Sequence, residues 1–261
     1  MDRSNIDKIA QTPEDRMFLA KIWDKVYTGI RKDIPAYTTF LSEREQEMVR
    51  FLFGEAPGLQ FFGGCEEAER KIFTFLPDYL DNTWLNGEDA PIVCLRATYY
   101  AEDRLSHRDF LGALMGIGIA RETVGDIYVG KGSCDFLVTA EIAPYLLQNF
   151  ISAGRTKFHL EQISLQDMQI PALEVKEIKD TLASLRLDSV ISSGFRISRG
   201  VAAQHIAAGR AAVSGVPCEK ADKAITEGTK IAVRGLGKIK LVAVNGQTKK
   251  GRISVVIHRY I

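Results

Sequence analysis

Ser198-Arg199-Gly200-Val201-Ala202-Ala203-Gln204-His205-Ile206-Ala207-Ala208-Gly209-Arg210-Ala211-Ala212-Val213-Ser214-Gly215 decides how this chain is read. Ser198 is a strong N-cap residue, because its hydroxyl accepts from an otherwise unpaired N–H of the first turn. Residues 199–208 follow as a helix, and Gly209 closes it in the left-handed position. Residues 213–216 then give a tight strand–turn signal. Upstream, residues 185–190 read as a short helix that Gly194 breaks. Downstream, residues 225–233 enter a strand through Glu227-Gly228, and Arg234-Gly235-Leu236-Gly237-Lys238 forms a glycine-rich basic turn. Residues 238–244 and 252–258 pair as a hairpin around residues 245–251.

Charge singles out the same region. The net charge of the 261-residue chain is only +1. Residues 181–261 nevertheless hold 14 Lys/Arg against 4 Asp/Glu, a net of +10, while residues 1–180 hold 20 against 29, a net of −9. A basic domain gathers a polyanion by attraction and counterion release, and an acidic body limits indiscriminate sticking.

Arg199 falls at the start of its helix, where the guanidinium and the free backbone N–H groups both attract phosphate. Arg196, Arg199, Arg234, Lys238 and Lys240 are expected to line one groove. Gly235 and Gly237 would let the backbone approach RNA without side-chain obstruction. Lys249, Lys250 and Arg252 would extend the surface from the hairpin tip. Arg186, Ser198, Gln204 and Lys223 complete the expected RNA-facing set. Aromatic residues are scarce here, limited to Phe195 and Tyr260. Recognition of phosphate and shape in folded RNA therefore fits better than base stacking.

The preceding segment has the order β-α-β-β-α-β, a split βαβ or ferredoxin-like pattern. Its elements are a strand at 92–100, a helix at 106–117 capped by Ser106, strands at 126–129 and 135–139, a helix at 141–151 ended by Gly154, and a strand at 157–163. An RNA-recognition motif would need aromatics on its central strands. Lys131-Gly132-Ser133-Cys134-Asp135-Phe136-Leu137-Val138 instead places Ser133 and Asp135 there. Stacking on this sheet is not expected, and a scaffold or docking role is. His107 and Arg108 mark a local contact site at most. Before this layer, residues 12–33 and 42–53 read as helices, with strands at 59–62 and 71–76, and a polar turn near residues 86–89 ends the first domain. Residues 170–180 read as a linker.

Several classes are excluded. The chain is 46% apolar and 26% charged, like a globular domain and unlike a disordered chain. No apolar window is long enough for a membrane span. The first ten residues carry Asp2, Arg3, Asp7 and Lys8 and do not form a secretory signal. A cytoplasmic location is expected. Cys65, Cys94, Cys134 and Cys218 form no C-x-x-C pair, so they read as reduced, packed thiols. Gly116-Ile117-Gly118-Ile119-Ala120-Arg121 lacks the final glycine and the context of a dinucleotide site. No nucleophile–base pair, cofactor motif or metal-ligand spacing stands out, so no catalytic residue, cofactor, metal or small-molecule substrate is expected.

Arg186-Leu187-Asp188, Ser198-Arg199, Ala202, Ile206, Gly209, Val213-Ser214-Gly215, Glu227-Gly228-Thr229-Lys230-Ile231 and Arg234-Gly235 together resemble the S4 RNA-binding domain, an αL-motif unit. The Arg-Leu-Asp triplet also resembles the catalytic signature of pseudouridine synthases. Only 73 residues follow Asp188, and the surrounding catalytic domain is missing, so a helix-start salt bridge or an RNA-facing contact is expected of it.

The stretch at residues 106–118, followed by Arg121-Glu122-Thr123-Val124-Gly125-Asp126-Ile127, resembles the YlmH-type S4-domain proteins of bacteria, as does Gly246-Gln247-Thr248-Lys249-Lys250-Gly251-Arg252. The resemblance implies an α+β, multidomain protein with three parts. These are a small N-terminal α/β domain (1–88), a ferredoxin-like, RRM-like domain (89–166) and a C-terminal S4 domain (181–261). It also implies binding of rRNA or tRNA on the large ribosomal subunit that carries a stranded peptidyl-tRNA, within ribosome-associated quality control. Older descriptions of that family place it with cell-division genes, and a photosynthetic branch is associated with photosystem II. Two other readings remain open: an RNA-modifying enzyme with its site in residues 1–165, and a cell-division adaptor that uses the basic domain for protein contacts.

Overall fold

The computed structural model describes residues 2–172, 175–248 and 251–260. The chain divides into two compact units, Met1–Pro171 and Ala172–Ile261.

The N-terminal unit opens with the short helix α1 (Ile6–Ile9) and the long helix α2 (Pro13–Lys32). Thr12 accepts from the Asp15 N–H at 3.1 Å and Pro13 occupies the first turn, as the sequence predicts. Leu19, Ile22, Trp23 and Val26 form the buried stripe of α2. Strand β1 (Ala36–Tyr37) leads to α3 (Glu43–Phe53), where Ser42 and Glu45 close a capping box. Strands β2 (Leu59–Phe62) and β3 (Ile72–Phe75) complete an antiparallel sheet of order β1-β3-β2.

The ferredoxin-like layer follows. It comprises β4 (Ile92–Thr98), α4 (His107–Gly116), β5 (Val124–Val129), β6 (Ser133–Thr139), α5 (Ala143–Asn149), the small hairpin β7 (Ser152–Ala153) and β8 (Thr156–Lys157), and β9 (His159–Ile163). The sheet order β5-β6-β4-β9 is that of a split βαβ pair. The expected stop at Gly154 is corrected: α5 ends at Asn149, and Gly154 turns the β7–β8 hairpin.

The boundary expected at residue 88 falls inside this unit. The sheet alternates, so Leu95, Phe136 and Val138 face the helices, while Ile92, Cys94 and Leu137 face the other way. That second face packs on Phe40 and Ile72 from the N-terminal segment, with Leu165 and Met168 alongside. A shared core joins residues 1–88 to the layer.

The C-terminal unit begins with β10 (Val175–Leu182), the segment read as a linker. It pairs antiparallel with the last strand over its full length, from Val175 opposite Tyr260 to Leu182 opposite Ile253. Helices α6 (Leu187–Phe195) and α7 (Arg199–Ala207) follow, then β11 (Ala211–Val213), β12 (Val216–Pro217), β13 (Lys230–Val233), β14 (Gly237–Gln247) and β15 (Ile253–Tyr260). The six strands are ordered β10-β15-β14-β13-β11-β12. Their inward residues Ile178, Ile231, Ile239, Leu241 and Ile257 share a core with Leu187, Val190, Ile191 and Ile206 of the helices.

Gly194 does not break α6. It lies inside the helix, where an added Cβ would come within 2.7 Å of the Ile239 Cδ1. Its missing side chain lets α6 sit down on the sheet. Arg196 ends the helix in the left-handed conformation (φ 55°) instead.

Candidate nucleic-acid interface

The corner between α6 and α7 organises the basic residues of the C-terminal unit. Asp188 sits in the first turn of α6 and is only 6% exposed. Its backbone N–H donates to the Ala221 carbonyl at 3.0 Å, and the neighbouring Leu187 N–H donates to that of Lys223 at 2.9 Å. The segment before β13 thus fixes the start of the helix. Arg199 donates to Asp188 Oδ2 at 2.7 Å, Arg186 donates to both carboxylate oxygens at 3.3 Å, and the Ser189 hydroxyl donates at 3.3 Å.

Burial pushes the Asp188 carboxyl up, but the hydrogen bonds from Arg199 and Arg186 outweigh it and hold the group below its ordinary value. The result is one buried carboxylate gripping two arginines whose remaining N–H groups face water. An arginine fork held this way matches a phosphate without a further loss of side-chain freedom. Asp188 acts by positioning, which agrees with the salt-bridge expectation.

Ser198 caps α7, its Oγ accepting the Val201 N–H at 3.2 Å. Gly200, Val201, Gln204, Ala207 and Ala208 are exposed along α7, while Ala202 and Ile206 are buried. Ala207 and Ala208 therefore do not pack inward. With Gly200 they give the helix a shallow outer surface that a large partner can approach closely.

Arg196 and Arg199 come together with Arg252 around a cleft of about 300 Å³. Arg252 does not extend the hairpin tip. Its Nε donates to Thr181 Oγ1 at 3.0 Å and its Nη2 to the Thr181 carbonyl, which pins it against β10. Lys249 and Lys250 lie outside the described residues.

The single groove expected for Arg196, Arg199, Arg234, Lys238 and Lys240 is not formed. Ile239 and Leu241 face the helices, so the alternation of β14 sends Lys238 and Lys240 to the opposite face of the sheet. There Lys240 is flanked by Lys230 and His258. Arg234 lies by the other end of α7, about 12 Å along the helix from Arg199 at 1.5 Å per residue. It is joined there by Arg210, whose carbonyl accepts the Arg234 N–H at 2.9 Å. Gly235 and Gly237 adopt positive φ of 90° and 109°, so the turn itself demands them, and the space beside each is open.

Sequence reasoning missed Arg210, Thr181 and Asp180. Arg210 carried a local signal, its position directly after the Gly209 cap. The other two were hidden in the supposed linker and at its edge.

The ferredoxin-like sheet is not an open stacking platform. Asp135 is 1% exposed and receives two guanidinium hydrogen bonds from Arg96, at 2.7 and 2.6 Å. The Gln169 N–H also donates to Asp135, at 2.6 Å, and the Asp167 carbonyl accepts from Arg96 at 2.9 Å. Residues 167–169 thus lie over the position where an aromatic would have stacked a base. Cys94 and Cys134 are buried, and burial raises both thiols, Cys94 to about 12. No helix among the described residues is long and apolar enough to cross a membrane.

Residues 95–167 match the family described as the putative RNA-binding domain in YlmH. The chain is 35% identical over 225 residues to "Ribosome-associated protein quality control protein P2" of Bacillus subtilis (strain 168), an alignment that covers 85% of this chain and 86% of that protein. A solved structure titled "Cell division protein ylmH from Streptococcus pneumoniae" aligns with a TM-score of 0.49 at 20% identity, covering 62% of this chain and 97% of that one. A basic C-terminal unit together with a ferredoxin-like layer that matches this RNA-binding domain family places the chain among multidomain α+β proteins of the RNA-binding class. Within that class, the chain belongs to the YlmH family.

Proposed function

We propose that this protein is a non-enzymatic RNA-binding factor of translation. Its C-terminal unit, of S4 type, holds rRNA or tRNA on the large ribosomal subunit, in the quality control of stalled peptidyl-tRNA complexes. The observation that carries the reading is the Arg186–Asp188–Arg199 constellation at the two-helix corner, because it pre-orients two forked cations on the most basic part of the chain. The name of the Bacillus subtilis relative supports the ribosomal setting. In this reading the acidic N-terminal unit positions the basic one or meets a protein partner.

Fluorescence anisotropy with a folded rRNA or tRNA fragment, run as a salt series, tests the proposal. Arg199→Ala is expected to weaken binding by about 1–3 kcal/mol, the range of a strong charge-assisted contact. It should also lower the slope of log K against log salt by about 1. Unchanged affinity in both Arg199→Ala and Arg186→Ala would refute the assignment.

A further inference from the structure

The corner residue Arg196 poses a physical problem. At φ 55° and ψ 45° it occupies a conformation that glycine or asparagine adopts at lower cost. The backbone is held there by the helix cap, in which the Arg196 and Ile197 N–H groups donate to the Ser193 and Ser192 carbonyls at 3.3 and 3.1 Å, and strain of this kind clusters at functional sites. Yet among the described residues the Arg196 guanidinium forms no ion pair or hydrogen bond, and the residue is exposed. What it does have is a place on the wall of the 300 Å³ cleft.

Arg199, at the start of α7, and Arg252, immediately before β15, line the same cleft. The cleft also contains one carboxylate, that of Asp180. It already accepts the Thr181 N–H at 2.7 Å and the Ser193 hydroxyl at 2.6 Å, so neutral donors rather than the arginines satisfy it. Arg199 and Arg252 are each held by one partner, Asp188 and Thr181, and each keeps further N–H groups.

We propose that the Arg196–Arg199–Arg252 cleft seats a single phosphate group of the bound RNA, held by the three guanidinium groups. Arg196 supplies an otherwise unpartnered guanidinium from the helix corner, and Thr181 is a positioning residue that holds Arg252 in place. This deepens the RNA-binding reading and rests on it. It also gives β10 a role in recognition, since Thr181 belongs to that strand.

The test uses the full chain with ¹⁵N-labelled arginine. Inorganic phosphate at millimolar concentration is expected to shift the Arg196 and Arg252 Nε–H resonances, and Arg196→Gly should abolish the response. In that variant RNA affinity should fall about tenfold at low salt, while the melting temperature holds or rises by about 2 °C because the strained corner is relieved. Loss of binding without loss of stability is what a purely structural arginine would not give. Thr181→Val should weaken RNA binding less, with the Arg252 resonance broadened or displaced.

Comparing one oligonucleotide with a 5′-hydroxyl and a 5′-phosphate separates the sources of the ligand. Equal affinities identify an internal phosphodiester, and a preference for the phosphorylated form identifies a terminal group. If Arg196→Gly binds RNA as tightly as wild type while Arg199→Ala does not, the cleft assignment is wrong and the RNA-binding reading stands. If the wild-type chain binds no RNA, the reading itself fails and the cleft assignment goes with it.

Discussion

Replacing Asp188 with asparagine separates positioning from charge counting. The substitution removes one negative charge from the most basic part of the chain, so electrostatic attraction alone predicts tighter RNA binding. If instead Asp188 serves to hold Arg186 and Arg199, binding should weaken. The strong contact is the one from Arg199 at 2.7 Å; those from Arg186 are longer, at 3.3 Å. Both arginine side chains are about half exposed (53% and 43%), so screening brings the combined loss to the low end of the charge-assisted range, about 2 kcal/mol. For a unit of this size that corresponds to a fall of about 10 °C in melting temperature.

RNA affinity should drop about fivefold, or about 1 kcal/mol, because the guanidiniums must be ordered on binding. Thermal melts and anisotropy at two salt concentrations measure both quantities. The carboxyl is held below its unfolded value of 3.8, so its contribution is complete above that pH and is lost as the pH falls through the folded value. The Asp188→Asn variant should lose this acid dependence. A folded Asp188→Asn variant that binds RNA as tightly as wild type, or more tightly, would refute the positioning role.

Other expectations follow from the packing. Gly194→Ala should destabilise the C-terminal unit by about 1–3 kcal/mol, since the new Cβ meets Ile239 at 2.7 Å, whereas Gly112→Ala on α4 has open space around it and should stabilise its helix by about 0.5–1 kcal/mol; denaturant titration compares the two. Leu137→Ala should cost about 2–5 kcal/mol and loosen residues 1–88 together with the ferredoxin-like layer. Hydrogen exchange that opens residues 1–88 separately in wild type would contradict the shared core. Asp126 is half-buried, and its partial burial raises its carboxyl despite hydrogen bonds from the Glu69 and Arg70 N–H groups. Its contribution to the N-terminal unit should therefore decline as the pH rises from 3.8 through the higher folded value, opposite in sign to Asp188, and pH-dependent melts of Asp126→Asn should lack that decline.

The parts of the fold that were legible in the sequence are those specified locally. Thr12, Ser42 and Ser198 cap their helices because a cap needs only the residue and the turn after it. The order of the ferredoxin-like layer was readable from its alternating strands and short helices. Misreadings arose where a distant partner decides the outcome. Gly194 resembles a breaker until Ile239 is brought beneath it. β10 has only Ile178 and Leu182 buried, and apart from the exposed Val175 the rest is polar, so it lacks the signal of a strand until β15 pairs with it. The polar stretch near residue 88 resembles a boundary, although Phe40 and Ile72 pack across it.

At the candidate site, the Arg-Leu-Asp triplet and Arg199 were visible. Period-two alternation also separates Lys238 and Lys240 from Ile239 and Leu241, but it does not say which face the helices cover. That depends on the tertiary packing of α6.

Co-sedimentation of the purified chain with 30S, 50S and 70S particles across a salt series, with 50S–peptidyl-tRNA complexes included, tests the central claim most directly. Selective pelleting with 50S particles, strongest on the peptidyl-tRNA complexes, is the expected result. It should weaken as salt rises and fall sharply in Arg199→Ala. Equal recovery with all particles, or 50S binding indifferent to both salt and Arg199→Ala, would contradict it.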